Sequence, residues 1–324
     1  MRRWLPILIL LLFLSGCAQQ KTEKLIVFHA GSLSKPLADV SKAFEDYMAK
    51  KGVRVEVFRE ASGSVDAVRK VTDLHRRADV VAVADYTLIP KMMMPKYAEF
   101  CIGFATNEVV LVYTNSSRYA NEINSSNWFK ILAKKGVKFG FSNPNRDPCG
   151  YRALMVMKLA DDYYHEPVFE TLVENNTNVR AKGNVIYVPP EIETNGKIVI
   201  RPKETDLLGL LESHSIDYAF EYRSLAMQQH LRFVELPKEI NLGSPKESYN
   251  VSVLLEFKGK EIRAKPIVYG VTIPKNAEHK ELAIEFLKFL LTRGREIFEK
   301  DYQRFLPKPI VIGKVPKGIE SVIG

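Results

Sequence analysis

From Leu25 onward the chain alternates short apolar runs with stretches in which apolar residues recur every three or four positions. Leu25 to Phe28 is an apolar run, Val53, Val55 and Val57 alternate with polar neighbours, and Val80 to Ala84 is apolar again. Between these candidate strands, Leu37, Val40, Phe44 and Tyr47 share one helical face, with Pro36 near the first turn, and Val65, Val68, Val71 and Leu74 share another. This strand–helix rhythm predicts mainly parallel sheets covered by helices, an α/β fold.

Further apolar runs at Val109 to Tyr113, Val137 to Phe141, Val185 to Val188, Asp217 to Phe220 and Val251 to Leu255 predict a second sheet with its own helices. The chain returns to strand at Ile267 to Ile273. An amphipathic helix follows from about Ala277 to Gly294, with Leu282, Phe286, Phe289 and Leu290 on or beside its apolar stripe. There is no internal repeat, low-complexity tract or Gly/Ser linker. A body of about 300 residues exceeds one average core, so two lobes are expected. Without a linker between them, the chain is expected to cross more than once and leave a cleft.

The amino terminus changes the picture. Arg2 and Arg3 precede an apolar run from Trp4 to Leu14, followed by small residues and Cys17. The run is shorter than the roughly 20 residues of a membrane span, and its order of basic, apolar and small segments predicts a signal peptide over 1–16. Leu14-Ser15-Gly16-Cys17 resembles a lipobox, which would make Cys17 a lipidated first mature residue and 17–23 a tether to the outer face of the cell membrane. Losing Arg2 and Arg3 lowers the formal charge of +9 by two, and the remaining basic balance suits anions or anionic lipid heads. Beyond Cys17 only Cys101 and Cys149 remain; export permits a disulfide between them, and two cysteines do not establish one. Asn115, Asn124, Asn175 and Asn250 each open an Asn-x-Ser/Thr sequon, which agrees with export.

Three segments place small polar residues just before a helix. In Phe28-His29-Ala30-Gly31-Ser32-Leu33-Ser34, Gly31 frees the backbone after a strand; Glu60-Ala61-Ser62-Gly63-Ser64 repeats the arrangement. In Ser142-Asn143-Pro144-Asn145-Arg146-Asp147-Pro148-Cys149-Gly150, Asp147 can cap a helix whose first turn holds Pro148. A helix N-terminus offers unpaired N–H groups and partial positive charge, and hydroxyls add donors, so each segment is a candidate anion cradle. Singly, each also reads as an ordinary cap. An oxyanion needs several such donors converging. Two acids complicate that picture: Asp147 itself, and Glu212 at the end of a helical run from Thr205 to Ser213, where the helix dipole disfavours negative charge. Read alone, they are a cap and a solvated glutamate.

Six blocks, in order, resemble the archaeal-type tungstate/molybdate-binding proteins of ABC importers: His29-Ala30-Gly31-Ser32-Leu33, Ala61-Ser62-Gly63-Ser64, Ala82-Val83-Ala84-Asp85-Tyr86, Gly140-Phe141-Ser142-Asn143-Pro144-Asn145, Asp147-Pro148-Cys149-Gly150-Tyr151-Arg152, and Asp206-Leu207-Leu208-Gly209-Leu210-Leu211-Glu212. The resemblance covers essentially the whole mature chain. It implies a two-lobed type II solute-binding protein fold that closes about a hinge, with lobe one over 24–104 plus 266–324 and lobe two over 105–265. It also implies a monomer without cofactor or nucleic acid, which hands its ligand to an importer's permease and ATPase.

In that family an Asp and a Glu add two carboxylate oxygens to the four oxo groups of the ligand, and the matching motifs put these on Asp147 and Glu212. Mo(VI) and W(VI) accept oxygen ligands; sulfate cannot expand in this way, so the acids would repel it. The implied donors are Gly31 and Ser32, the Ser62 to Ser64 loop and the backbone from Asp147 through Pro148 to Cys149. Tyr222, ten residues after Glu212, matches a tyrosine of the bacterial molybdate-binding proteins. Tungstate and molybdate, nearly equal in size and shape, are not ranked by these residues.

Three other readings compete. A sulfate or phosphate receptor would need neutral donors alone, which the two acids count against. A receptor for a bare cation would use the acids directly, against the serine loops and basic balance. A hydrolase using Asp147 and Glu212 as acid and base would bind sugars with tryptophans, whereas only Trp4 and Trp128 exist; no His-x-x-x-His or Gly-x-Ser-x-Gly occurs. The expectation is therefore a binding protein and not an enzyme.

Overall fold

The computed structural model describes residues 22–256 and 259–323, so the expected signal peptide over 1–16, Cys17 and most of the expected tether lie outside the described residues. The chain opens with β1 (Glu23–Ala30), α1 (Ser34–Lys50), β2 (Val55–Ser62), α2 (Ser64–Thr72), β3 (Val80–Val83) and β4 (Phe100–Thr106). It continues through β5 (Val109–Tyr113), α3 (Trp128–Ala133), β6 (Phe139–Ser142), α4 (Pro148–Tyr164), β7 (Arg180–Lys182), β8 (Val185–Val188) and β9 (Ile198–Arg201). Next come α5 (Leu208–Glu212), β10 (Tyr218–Tyr222), α6 (Arg223–Gln228), β11 (Arg232–Glu235), β12 (Ser252–Leu255) and β13 (Lys260–Arg263), and finally β14 (Val268–Thr272), α7 (Lys280–Leu291) and β15 (Arg304–Gly313).

One six-stranded sheet, ordered β15-β4-β14-β3-β1-β2, gathers the strands from both ends of the chain. The middle of the chain builds two further sheets, β11-β5-β10-β6-β9 and β13-β12-β8-β7. The expected second sheet is thus two: the runs at 109–113, 139–142 and 218–222 join one, and those at 185–188 and 252–255 the other. An apolar run predicts a strand and says nothing of its partner. The expectation of mainly parallel pairing needs a second correction. β1 lies parallel to β2 and β3, but β14 runs antiparallel to β3 and β4, and β15 antiparallel to β4. This sheet is mixed because β4 leaves the first lobe as β14 re-enters it, so these adjacent strands point in opposite directions; the four-stranded sheet is mixed through its local antiparallel pairs β7/β8 and β12/β13.

The two crossings are stitched side by side. Thr106 Oγ1 donates to the Ile267 carbonyl at 2.8 Å, and the N–H groups of Val109 and Ile267 bond the carbonyls of Asn241 and Leu242 at 2.9 and 2.8 Å. This narrow seam is the expected hinge geometry.

Packing follows the patterning. α1 buries Leu37, Val40, Phe44 and Met48, and Phe44 meets Phe286 and Phe289 of α7 edge to face at 5.2 and 5.6 Å between centroids. Leu74, expected on the α2 stripe, lies beyond the helix end at Thr72 and is 67% exposed. α4 differs from both: every residue from Pro148 through Met157 is buried. A helix covered on all sides sits at the centre of a protein. α4 runs from the interlobe seam into the second lobe, and its amino end carries the acid that the sequence singled out.

Candidate functional site

The three candidate cradles end up at one place. A Cβ added at Gly31, between β1 and α1, would lie 2.9 Å from a Glu204 carboxyl oxygen. One added at Gly63, before α2, would lie 2.5 Å from the Arg146 carbonyl oxygen and 3.2 Å from Asp147 Cβ. The Gly63 loop therefore presses against the second-lobe loop that opens α4, and the Gly31 loop against Glu204 and Thr205 just before α5, each at a closeness only glycine permits. Two contacts hold this seam: Val65 N–H donates to the Arg146 carbonyl at 3.0 Å, and the Arg146 guanidinium pairs with Asp66 at 2.6 Å.

None of the three helices is capped by a side chain. Asp147 occupies the N-cap position of α4, extended as expected before Pro148, and one of its carboxyl oxygens accepts the Glu204 backbone N–H at 3.1 Å. The Ser64 hydroxyl accepts from the Ala84 N–H at 2.9 Å, and Ser62 from Lys70 Nζ at 2.9 Å. Ser32 is fully buried and accepts from the Tyr269 hydroxyl at 3.1 Å, which leaves its own proton to donate. Each serine hydroxyl thus accepts one bond from a neighbour, and no side chain caps the three helix starts.

Three of the buried acids, Asp147, Glu204 and Glu221, are 1%, 0% and 0% exposed. Asp147 Oδ1 and both oxygens of Glu204 and of Glu221 meet no hydrogen-bond donor. Burial pushes all three carboxyls above the usual range. For Glu204 the Asp147 charge adds to this, and for Glu221 likewise. Leaving such atoms unpaired costs on the order of 1–3 kcal/mol each, a cost that persists where function requires it.

Glu212 is not brought to this site. It sits exposed at the carboxyl end of α5, where Leu207 and Leu211, one turn apart, take the inward face and turn the next residue to solvent. Glu204, eight residues earlier, occupies the place beside Asp147. Sequence reading missed Glu204 because it stands among Arg201, Lys203 and Asp206, a charged stretch that reads as solvated. Glu221 did carry a signal: an acid between Phe220 and Tyr222 in a strand buried on both faces is unusual.

The remaining candidates are placed as follows. Pro148 opens α4, and Cys149 is buried with its thiol 3.6 Å from the Phe220 carbonyl. Cys101 lies in the first lobe with its thiol toward Tyr86; both cysteines are free, so no bridge joins them. The Tyr222 hydroxyl receives Arg152 Nη1 at 2.7 Å, and its ring packs on Tyr269 at 5.9 Å.

Comparison with known proteins fits this geometry. The profile of the family described as bacterial extracellular solute-binding protein matches residues 25–302. The molybdate/tungstate-binding protein WtpA of Pyrococcus abyssi is 55% identical, over 94% of this chain and 91% of that protein. Its namesake in Thermococcus kodakarensis is 53% identical, over 98% of this chain and 94% of that protein. Among solved structures, the periplasmic molybdate-binding protein of Azotobacter vinelandii superposes with a TM-score of 0.60 at 15% identity, covering 88% of this chain and all of that one, a likeness of fold.

Proposed function

Since the chain belongs to the bacterial extracellular solute-binding protein family, we propose that it captures tungstate or molybdate between its lobes and delivers it to the permease and ATPase of an ABC importer. The observation that carries this reading is the pair of buried acids, Asp147 and Glu204, at the meeting point of three uncapped helix starts. The names of the two relatives above half identity support the same ligand.

In this reading the donors and the acids divide the work. Ser32, the Gly31 backbone, the Ser62 to Ser64 loop and the N–H groups of the first turn of α4 around Cys149 bond the oxo groups; Pro148, lacking an N–H, only sets the helix start. Asp147 and Glu204 each add an oxygen to the metal centre, with Glu204 taking the part first expected of Glu212. Free oxygens that meet no donor in the protein suit such a role, since a hard, high-valent centre is what they lack. Tyr222 supports the site through Arg152.

Sulfate and phosphate offer no centre that can accept two more oxygens, so the acids would repel them. The bare-cation receptor and the carboxylate-pair hydrolase give no role to the uncapped helix starts. Catalysis is not part of the proposal; turnover of model esters or glycosides would contradict it. Export through the leader 1–16 and anchoring by lipid on Cys17, as a monomer, complete the reading and place capture beside the importer.

Titration calorimetry of the mature chain carrying Cys17→Ser, with tungstate, molybdate, sulfate and phosphate in turn, tests the proposal. Tight one-to-one binding of the first two and none of the others is expected. No heat with any of the four would overturn it.

A further inference from the structure

Two consecutive residues of α4, one turn inside its amino end, reach out of the second lobe into the first. The Tyr151 hydroxyl donates to Asp85 Oδ2 at 2.6 Å, and Arg152 Nη1 donates to the Ala84 carbonyl at 2.8 Å while also reaching the Tyr222 hydroxyl at 2.7 Å. Arg152 Nη2 stands 3.9 Å from Asp85 Oδ2. Asp85, Tyr151, Arg152 and Tyr222 are 7%, 1%, 4% and 0% exposed. The receiving end is rigid: Asp85 is fixed within the first lobe by the Thr87 N–H at 2.9 Å and hydroxyl at 2.7 Å, and Ala84, through its own N–H, holds Ser64.

We propose that Tyr151 and Arg152 form a closure latch that sets how long the ligand is retained, acting as positioning residues without touching it. The inference rests on the interlobe capture proposed above. Hinge opening about 106–109 and 264–268 would pull α4 off the end of β3. That motion parts Tyr151 from Asp85 and Arg152 from Ala84, and returns an acid and a guanidinium to water. Charge-assisted bonds between buried groups are stronger than their exposed counterparts, so the latch favours the closed state over the open one. Because the same helix begins at Asp147, the latch also fixes where that acid stands relative to Ser64. Its energy is released on opening, so its loss is felt in dissociation far more than in encounter.

Tyr151→Phe removes one hydroxyl and keeps the packing; Arg152→Lys keeps a charge but is shorter than the arginine whose Nη1 makes both bonds and lacks the Nη2 that faces Asp85. In the mature chain carrying Cys17→Ser, stopped-flow kinetics with tungstate should show dissociation about tenfold faster in each variant, from the loss of one charge-assisted bond, with association within about twofold of the parent. Small-angle scattering without any ligand should show each variant more open than the parent. Asp85→Asn combined with Tyr151→Phe should add less than the sum of the two. Parent-like dissociation and parent-like scattering in both variants would overturn the latch, as would a lowered melting temperature with neither change. Scattering decides the latch even if tungstate fails to bind the parent, an outcome that would instead overturn the proposed ligand.

Discussion

The backbone N–H of Glu204 donates to Asp147 Oδ2 at 3.1 Å, although 57 residues separate them in the chain. The bond fixes the start of the segment before α5 against the start of α4, and so sets two buried carboxyls side by side. Replacing Asp147 or Glu204 with Ala should weaken tungstate binding by at least tenfold and relax discrimination against sulfate, while Glu212→Ala should leave both unchanged. Competition calorimetry separates these outcomes; a loss on Glu212→Ala with none on Glu204→Ala would return the ligand role to Glu212.

Gly63 lies so close to the second lobe that a methyl group would come within 2.5 Å of the Arg146 carbonyl. Gly63→Ala should hold the lobes apart and cost at least tenfold in tungstate affinity, with little change in the melting temperature of the ligand-free chain, because each lobe keeps its core. An unchanged affinity would show that the seam can yield.

Ser32 accepts one bond from Tyr269 and has one proton to give. Ser32→Ala should weaken binding by roughly 1.5–3 kcal/mol, the worth of a hydrogen bond to a charged acceptor, measured as a shift in the dissociation constant. Full affinity in the variant would make Ser32 a structural partner of Tyr269 only.

Glu221 is buried beside the Asp147 charge and binds its proton more tightly folded than unfolded. As pH rises past the ordinary glutamate range, the unfolded chain releases this proton first, so the folded state loses stability until its own carboxyl titrates. The ligand-free parent should therefore become less stable over that rise, and Glu221→Gln should flatten the slope in denaturant titrations across pH.

His29 works in the opposite direction. Burial, opposed by its bond to the Ala30 carbonyl and aided by the charges of Arg59, Lys70 and Lys203, lowers its pKa from 6.5 to about 4. Between those values the unfolded chain binds a proton that the folded chain refuses. Stability should fall by roughly 3 kcal/mol as pH drops from about 6.5 to 4, then level off. His29→Asn should lack this segment of the acid limb.

The sequence alone determined the strands at 109–113 and 185–188 to the residue, the amphipathic faces of α1 and α7, and the start of α4 at Pro148, because periodicity and local backbone chemistry are properties of neighbours in the chain. It also pointed to the three loops as a set and to Asp147 within them. The tertiary structure decided what depends on distant segments meeting: that the middle strands split into two sheets, that the strands crossing between lobes make the six-stranded sheet mixed, and that Cys101 and Cys149 stay unpaired in different lobes. It decided the second acid as well. Glu204 and Glu212 stand only eight positions apart, and the packing of Leu207 and Leu211 into the core goes with the first being buried against Asp147 and the second facing water. A side chain's burial is fixed by what packs over it, and that comes from residues far away in the chain.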